Sequence, residues 1–288
     1  MSILPYNLAA IEPVQRIITI SPSSLNEAMI CMRKFNFAVL QRYRPAFGQA
    51  STALEEGGMA HKILERHYNM MKEGVAYSDI VQECNTFGRS LCMGYNLAPE
   101  DIETVIRSYT QYAAVYKNDV YKPVHVEQPF SIVLFESPTL KILFEGKIDL
   151  IAEHLQSGEL TLFDHKIETR FSEPGILNNQ FIGYPYALGF DKIIVNKVGM
   201  QKTVPLVRKF RRYTLFATPH LKENWAKWAI WWTVFVDSNA QRGEFPPNFT
   251  SCWNCRYSDV CEAPEDFWEE KLKQFFRVSV PHDLFKGK

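Results

Sequence analysis

Two acidic residues and a lysine lie in a short stretch whose pattern predicts paired strands. Apolar and polar residues alternate over 147–152 and again over 160–166, with a QSG turn between them. Such a hairpin brings Asp149 close to Asp164 and Lys166, which share a face. Charged groups inside apolar strands cost free energy unless they bind something, and carboxylates are the usual ligands of divalent cations. The stretch therefore predicts a metal site; the alternative is a solvated strand end in which Lys166 neutralises the aspartates.

Three of the six cysteines fall in one short loop near the C-terminus. Cys252, Cys255 and Cys261 have the spacing C-x2-C-x5-C, which indicates thiolate ligation of a metal or a cluster. A fourth ligand could be His282, completing a zinc site, or the distant Cys31, completing a four-thiolate site. Thiolate-rich sets suit either zinc or an iron–sulfur cluster.

Further polar residues fall at helical spacing. His61 and Glu65 are four residues apart on a predicted helix, so both can project into the same space. Gln180 and Tyr184 have the same separation on a helix that Pro185 shortens or kinks. The alternative for each pair is an ordinary helix surface.

The order of these patterns predicts an α/β protein. An N-terminal helix beginning at Ser23 or Ser24 contains Cys31, and a helical layer follows over 77–120. Strands dominate 124–216, and 221–288 contain a tryptophan-rich helix, the cysteine loop and a tail. The aromatic stripe on that helix predicts core packing rather than a platform for nucleic-acid bases: Trp225, Trp228, Trp232 and Phe235.

Composition limits the partners of the chain. It has 288 residues and a formal net charge of +0, so nucleic-acid binding would need a local basic patch such as 207–213. The N-terminus lacks the pattern of a secretion signal, and the longest apolar run is too short to span a bilayer. These features predict an intracellular, cytoplasmic protein with reduced thiols and no membrane contact.

Several motifs occur together and in order from Ser21 to Cys261. They are SPSSLNEAMICMRKF, GGMAHKILE, GKID, DHK, QFIGY and the cysteine trio. In this the chain resembles the RecB-type PD-(D/E)XK nucleases, in the branch that carries an iron–sulfur cluster. That branch includes the AddB nuclease domain, CRISPR-associated adaptation nucleases and certain single-strand exonucleases. The sequence departs from the family pattern at two places. Met32 stands where a proline commonly follows the first cysteine. Ile167-Glu168-Thr169 follows DHK, where the family more usually has a threonine directly after D-x-K.

The resemblance implies a fold. The chain, residues 1–288, would form a single elaborated nuclease domain with a restriction-endonuclease-like core, in which helices flank a mixed central sheet. Residues 21–48 would supply a helix to the cluster, 77–120 a helical insertion, 124–216 the catalytic sheet and 221–288 the C-terminal helix, cluster-binding loop and tail.

The resemblance also implies residue roles. One or two Mg²⁺ or Mn²⁺ ions would have four ligands: His61, Asp149, Asp164 and the backbone carbonyl of His165. Lys166 would orient the attacking water or stabilise charge on the phosphate, and Gln180 and Tyr184 would position the strand and Lys166. A structural 4Fe-4S cluster would be held by four thiolates: Cys31, Cys252, Cys255 and Cys261.

These roles predict a metal-dependent DNA nuclease, an exonuclease acting on single-stranded DNA or DNA ends. The chain has no phosphate-binding loop of the G-x4-G-K-[ST] type, so unwinding would need a helicase partner. The alternative within the enzyme class is an adaptation-type nuclease that trims spacer precursors with a CRISPR-adaptation partner. The alternative outside it is a zinc-stabilised binding module, which binds nucleic acid or protein without hydrolysis.

Overall fold

The computed structural model describes residues 15–46, 52–168, 172–201 and 204–279, except for the side chains of residues 92 and 93. His282, one of the two candidates for a fourth zinc ligand, lies outside the described residues. The strands are β1 (Arg16–Ile20), β2 (Tyr43–Pro45), β3 (Tyr121–Glu136), β4 (Leu140–His154), β5 (Leu160–Glu168), β6 (Lys192–Gly199), β7 (Phe210–Phe216) and β8 (Phe276–Val278). The helices are α1 (Pro22–Ile30), α2 (Met32–Phe35), α3 (Thr52–Lys72), α4 (Tyr77–Ser90), α5 (Pro99–Val115), α6 (Asn179–Leu188), α7 (Leu206–Lys209), α8 (Pro219–Gln241), α9 (Ser258–Glu262) and α10 (Trp268–Phe275).

A mixed sheet forms the centre of the fold. Its strands follow the order β1-β4-β5-β6-β7, and β3 pairs with β4. Strand β4 runs antiparallel to β3 and β5 but parallel to β1, and β5 runs parallel to β6. The predicted α/β class with a mixed central sheet is therefore confirmed. The sheet also includes β1, which precedes the predicted sheet segment 124–216.

Helices cover both faces of this sheet and bury two apolar cores. One core lies against α3, α4 and α5 and contains Leu150 and Phe163; the other lies against α1, α6 and α8 and contains Ile148 and Leu162. Residues two apart in a regular strand face the same side. Ile148 and Leu150 enter different cores, so the alternation of β4 is interrupted at Asp149.

The N-terminal segment differs from the single predicted helix. Ser21, not Ser23 or Ser24, is the N-cap of α1, and the Ser21 and Ser24 side chains make the reciprocal hydrogen bonds of a capping box. Cys31 has an extended backbone (φ −168°, ψ 124°) and separates α1 from α2. A π-helical turn (Asn36–Leu40) and β2 follow. Residues 47 and 48 lie outside the described part.

Strand β2 pairs with β8, which joins the segment that follows α2 to the C-terminal end of the described chain. The buried Tyr257 hydroxyl donates to the Tyr43 carbonyl at 2.6 Å. A small apolar core, to which Phe37 and Leu272 contribute, lies beside this junction. The N-terminal segment and the cysteine loop are thereby fixed to one another.

The aromatic stripe of α8 is divided between core and surface. Trp225 is 5% exposed and packs in the core as predicted, whereas Phe235 is 44% exposed, so its predicted core position is wrong. Trp228 and Trp232 are partly buried against the same core. In the part of the chain that is described, none of the helices has both the length and the apolar character needed to cross a membrane.

Candidate active site

The predicted hairpin forms, and its two strands separate beside the acidic residues. Strand β5 pairs with β4 only from Leu160 to Phe163, then continues alongside β6. We call the point where β4 and β5 separate the fork. Asp149 lies there, and its Oδ2 accepts the His165 backbone N–H at 2.6 Å. This contact places the Asp149 carboxylate next to the start of the Asp164-His165-Lys166 segment.

Asp164, Lys166 and Gln180 form a closed polar triangle. Lys166 Nζ lies 2.8 Å from Asp164 Oδ2 and donates to Gln180 Oε1 at 2.8 Å, and Gln180 Nε2 donates to Asp164 Oδ1 at 2.5 Å. Asp164 is 1% exposed, and its Oδ2 has no hydrogen bond among the described residues despite the nearby ammonium. A buried carboxylate oxygen without a hydrogen bond is costly, and coordination of a cation would satisfy it.

A second acidic group adjoins this triangle. His61, Glu127 and Asp149 each offer one ligand atom within 4.8 Å of the others, and the described residues contain no other such group. His61 Nδ1 lies 3.9 Å from Asp149 Oδ2. The histidine, two carboxylates and the neighbouring Asp164 are donors suited to Mg²⁺ or Mn²⁺.

Sequence reasoning missed Glu127. It lies on β3 between Val126 and Gln128, which pair with Leu150 and Ile148 and so flank Asp149 across the strands. Its φ of 52° is in the left-handed region, which is uncommon for residues other than glycine and costs free energy. The Lys147 ammonium forms an ion pair with its carboxylate. The one sequence signal was an acidic residue within a predicted strand.

Burial and like charge set the protonation of this group. Burial raises the pKa of Asp149 well above its ordinary value, and the Asp164 charge raises it further, although the His165 N–H opposes both. Burial lowers the pKa of His61, which favours the neutral imidazole that coordinates metals. A cation would offset the repulsion between the carboxylates.

This electrostatic arrangement predicts cation binding that strengthens with pH. Binding requires an ionised Asp149, so we expect Mn²⁺ affinity to fall about tenfold per pH unit below its raised pKa. Isothermal titration calorimetry in two buffers of different ionisation enthalpy should detect about one proton released per ion at the lower pH. Affinity that does not fall as the pH is lowered, with no proton release, would contradict the assignment.

Tyr184 lies beneath the triangle, and its side chain is 6% exposed. Its ring packs edge-on against Phe130 (centroids 5.3 Å apart, 84° between planes) and fills the space beside Gly146. Burial raises the pKa of its hydroxyl. The structure thus brings Gln180 into direct contact with Lys166, and the Tyr184 hydroxyl contacts Gln180 and the Lys147 backbone.

A buried polar network holds the side chain of His165. Asn196 Nδ2 donates to His165 Nδ1 at 2.9 Å and to the Tyr112 hydroxyl at 2.8 Å. Arg212 donates to Asn196 Oδ1 at 3.3 Å and pairs with Asp119 through both guanidinium branches. Arg212 belongs to the basic segment 207–213. It therefore binds buried polar groups and does not provide an exposed contact for a phosphate. Sequence reasoning did not find this network.

Removing the centre of this network should misplace the DHK segment. We expect Asn196→Leu to lower the cleavage rate by about tenfold or more and to raise the Mn²⁺ concentration that gives half-maximal activity. The matched control is Asn239→Leu, a buried asparagine on α8 that donates to the Phe235 carbonyl and accepts from Arg242, away from the proposed active site. Both variants should lose stability, by roughly 1–3 kcal/mol for unsatisfied buried groups. An Asn196→Leu protein with unchanged metal dependence would show that the network is purely structural.

The structure brings the four predicted cysteines to one place. Cys31, Cys252, Cys255 and Cys261 line a cavity of about 220 Å³ between the α1–α2 break and the C-terminal loop. None of the four is in a disulfide. The Asn248 N–H donates to Cys31 Sγ at 3.4 Å, which joins the loop to the N-terminal segment directly.

The spacing of these thiols bears on what they could hold. No three of them, all in the described part, come within 4.8 Å of one another. Tetrahedral zinc with Zn–S bonds near 2.3 Å would place its sulfurs about 3.8 Å apart. Four thiolates are an ordinary ligand set both of tetrahedral zinc and of a 4Fe-4S cluster.

Comparison with known proteins agrees with this fold. Residues 19–262 match the sequence profile of the PD-(D/E)XK nuclease superfamily, and the chain belongs to that superfamily. No sequence among curated proteins matches it.

Two solved structures are similar to the fold. One, from Eubacterium rectale, is described as a "putative exonuclease"; it has 10% identity and a TM-score of 0.50, over 92% of this chain and 95% of that one. The other is the protein SSO0001, with 12% identity and a TM-score of 0.42 over 85% of each chain. At these identities the similarity shows the fold alone. The match of residues 19–262 to the superfamily profile confirms the predicted PD-(D/E)XK core.

Proposed function

We propose that this protein is a metal-dependent deoxyribonuclease that hydrolyses phosphodiester bonds in single-stranded DNA or at DNA ends. The observation that carries the proposal is the buried Asp164 carboxylate, in contact with Lys166 and Gln180 beside the Asp149 fork. Membership of a nuclease superfamily supports the reaction class.

The ligands of the cation would come from one helix and three strands that meet at the fork. We assign them to His61 on α3, Glu127 on β3, Asp149 on β4, and Asp164 with the His165 carbonyl on β5. When bound, Mg²⁺ or Mn²⁺ polarises the scissile phosphate and lowers the pKa of a coordinated water. The nearly buried carboxylates keep bulk water from competing for these positions.

We assign Lys166 a catalytic role, in direct contact with the reacting atoms. Its side chain is 34% exposed, so it can reach a substrate phosphate while Asp164 and Gln180 hold its ammonium. From there it orients the attacking water or stabilises negative charge that develops on the phosphate. Gln180 and, through core packing, Tyr184 are positioning residues.

Glu127 should contribute to cation affinity. We expect Glu127→Gln, which keeps the shape of the side chain, to weaken Mn²⁺ binding by roughly 10- to 100-fold, because one anionic ligand is lost. The control is Glu145→Gln on β4, whose carboxylate accepts from Ser131 instead. Calorimetric titration with Mn²⁺ measures both. Equal affinities for Glu127→Gln and the wild type would remove Glu127 from the ligand set.

For the cysteine cavity we propose a structural 4Fe-4S cluster, which would place the chain in the iron–sulfur branch of the RecB-type nucleases. The support is the convergence on one cavity of four thiols from segments far apart in the sequence, together with the motif order of the family resemblance. The cluster would fasten the α1–α2 break to the C-terminal loop. Zinc in this position belongs to the alternative, a non-enzymatic binding module.

The proposed activity is tested with end-labelled single-stranded and double-stranded DNA in the presence of Mg²⁺ or Mn²⁺. We expect metal-dependent shortening from an end, with single strands cut faster than duplexes. Binding of DNA without hydrolysis would favour the non-enzymatic module. A helicase or a CRISPR-adaptation protein, suggested by the family resemblance, is proposed as a partner, and trimming of spacer precursors is the alternative role within the enzyme class.

A further inference from the structure

An uncharged groove lies beside the proposed active site, between α1, the start of α6 and α8. Its volume is about 380 Å³. The floor and walls are apolar and the rim carries side-chain amides; the principal residues are Asn26, Met29, Asn178, Ile182, Asn224 and Trp228. Not one of the lining residues is a lysine, arginine, aspartate or glutamate. An apolar groove without cations, with amides on its rim, suits an uncharged planar group with polar edges.

The rim amides are held in place and still have free polar atoms. Asn26 Oδ1 accepts from Asn179 Nδ2 at 2.8 Å, and Asn178 Oδ1 caps α6 by accepting the Gln180 N–H at 2.8 Å. Asn224 Nδ2 contacts His220 Nε2 at 2.9 Å. Within the described residues, Asn26 Nδ2, Asn178 Nδ2 and Asn224 Oδ1 make no hydrogen bond. Two donors and one acceptor thus remain for the edge of a nucleobase.

The indole of Trp228 offers a stacking surface in this groove. It lies nearly parallel to Trp232, with centroids 6.3 Å apart and 10° between planes. A base placed on Trp228 from the groove would extend that stack. Met29, 50% exposed, and Leu177, 80% exposed, stand on the walls, where apolar side chains can cover the flat faces of a base.

The first turn of α6 joins this groove to the proposed catalytic residues. Gln180 contacts Lys166 and Asp164, while the adjacent Asn179 contacts Asn26 and accepts from Trp225 Nε1 at 3.1 Å. A strand whose phosphate lies at Asp164 would pass a neighbouring base close to the groove. Accepting the proposed nuclease function, we propose that the groove is a subsite for one base of a single-stranded DNA substrate, stacked on Trp228 and bonded by the rim amides.

The test is binding of a short fluorescein-labelled single-stranded DNA, measured by fluorescence anisotropy with Ca²⁺ in place of Mg²⁺. We expect Trp228→Ala to raise the Kd about tenfold, in line with the loss of one stacked base. Asn224→Asp, which puts a negative charge in the groove with little change of shape, should weaken binding similarly. A strand with one abasic position at the subsite should bind the wild type about tenfold more weakly but bind Trp228→Ala no worse than the intact strand does.

The matched control is Trp231→Ala, a tryptophan on the same helix that is 60% exposed and does not line the groove. It should bind DNA like the wild type. The subsite is refuted if Trp228→Ala and Asn224→Asp bind within twofold of the wild type, or if Trp231→Ala is weakened equally. Circular dichroism melts show whether each variant is folded.

The binding readout separates this proposal from the nuclease proposal. A wild type that cuts DNA while both groove variants bind and cut normally leaves the nuclease function standing and removes the subsite. The other outcome is a wild type that cuts no DNA, while its binding is weakened as predicted by the abasic position and by Trp228→Ala. That result supports the subsite and contradicts the nuclease function.

Discussion

Lys166→Ala should bind Mn²⁺ at least as tightly as the wild type and yet cut DNA on the order of 1,000-fold more slowly. The Lys166 ammonium lies 2.8 Å from Asp164 Oδ2, so its removal takes a positive charge away from the proposed cation ligands. The same substitution removes the ammonium group that is proposed to orient the attacking water or to stabilise negative charge on the phosphate. Calorimetry with Mn²⁺ and a cleavage assay on end-labelled DNA measure the two effects separately.

Asp164→Ala provides the contrast, because it should lose both cation binding and cleavage. The matched lysine control is Lys192→Ala, whose ammonium pairs with Glu159 at 2.7 Å away from the fork. It should leave both quantities unchanged. Undiminished cutting by either Lys166→Ala or Asp164→Ala would refute the proposed catalytic assignment.

Cys31→Ser should deplete the protein of iron and sulfide and lower its Tm by about 10 °C, as expected for losing a few kcal/mol of metal-linked folding free energy. The reason is geometric: Cys31 is the one thiol of the cavity that comes from the N-terminal segment. Without it, the cluster would no longer fasten the α1–α2 break to the C-terminal loop. The wild type, purified without oxygen, should be brown and contain about four irons and four sulfides per chain.

The control for this prediction is Cys84→Ala. Cys84 is fully buried in the core between α3, α4 and α5, away from the cavity, and should retain the iron of the wild type. Metal analysis and a visible absorption spectrum distinguish the variants. Colourless wild-type protein with stoichiometric zinc would overturn the cluster and favour the zinc-stabilised module.

Local patterns in the sequence were enough to predict the central hairpin. Period-two alternation on both sides of a QSG turn identifies β4 and β5, and the same alternation places Asp164 and Lys166 on one face. The order of the motifs was enough to predict the fold class, because each motif belongs to a fixed position in that fold. These features depend on residues close in sequence.

Other features depend on where distant segments meet, so local patterns could not predict them. Glu127 reaches the site because β3 pairs with β4 in a register that sets it beside Asp149, with a left-handed backbone that no local signal required. The network around Asn196 draws on α5, β6 and β7 together. The break at Cys31 replaces the helix that the local pattern favours, because the chain there packs against the C-terminal loop.

The sequence by itself therefore determined the hairpin and the cysteine trio, and the family resemblance added Cys31 and the predicted active-site residues other than Glu127. The tertiary structure alone decided that β5 leaves β4 at Asp149, and that His61, Glu127 and Asp149 come together there. The physical reason is that side-chain period and motif spacing act within a strand or helix. Distances between carboxylates on different strands follow from sheet pairing and core packing.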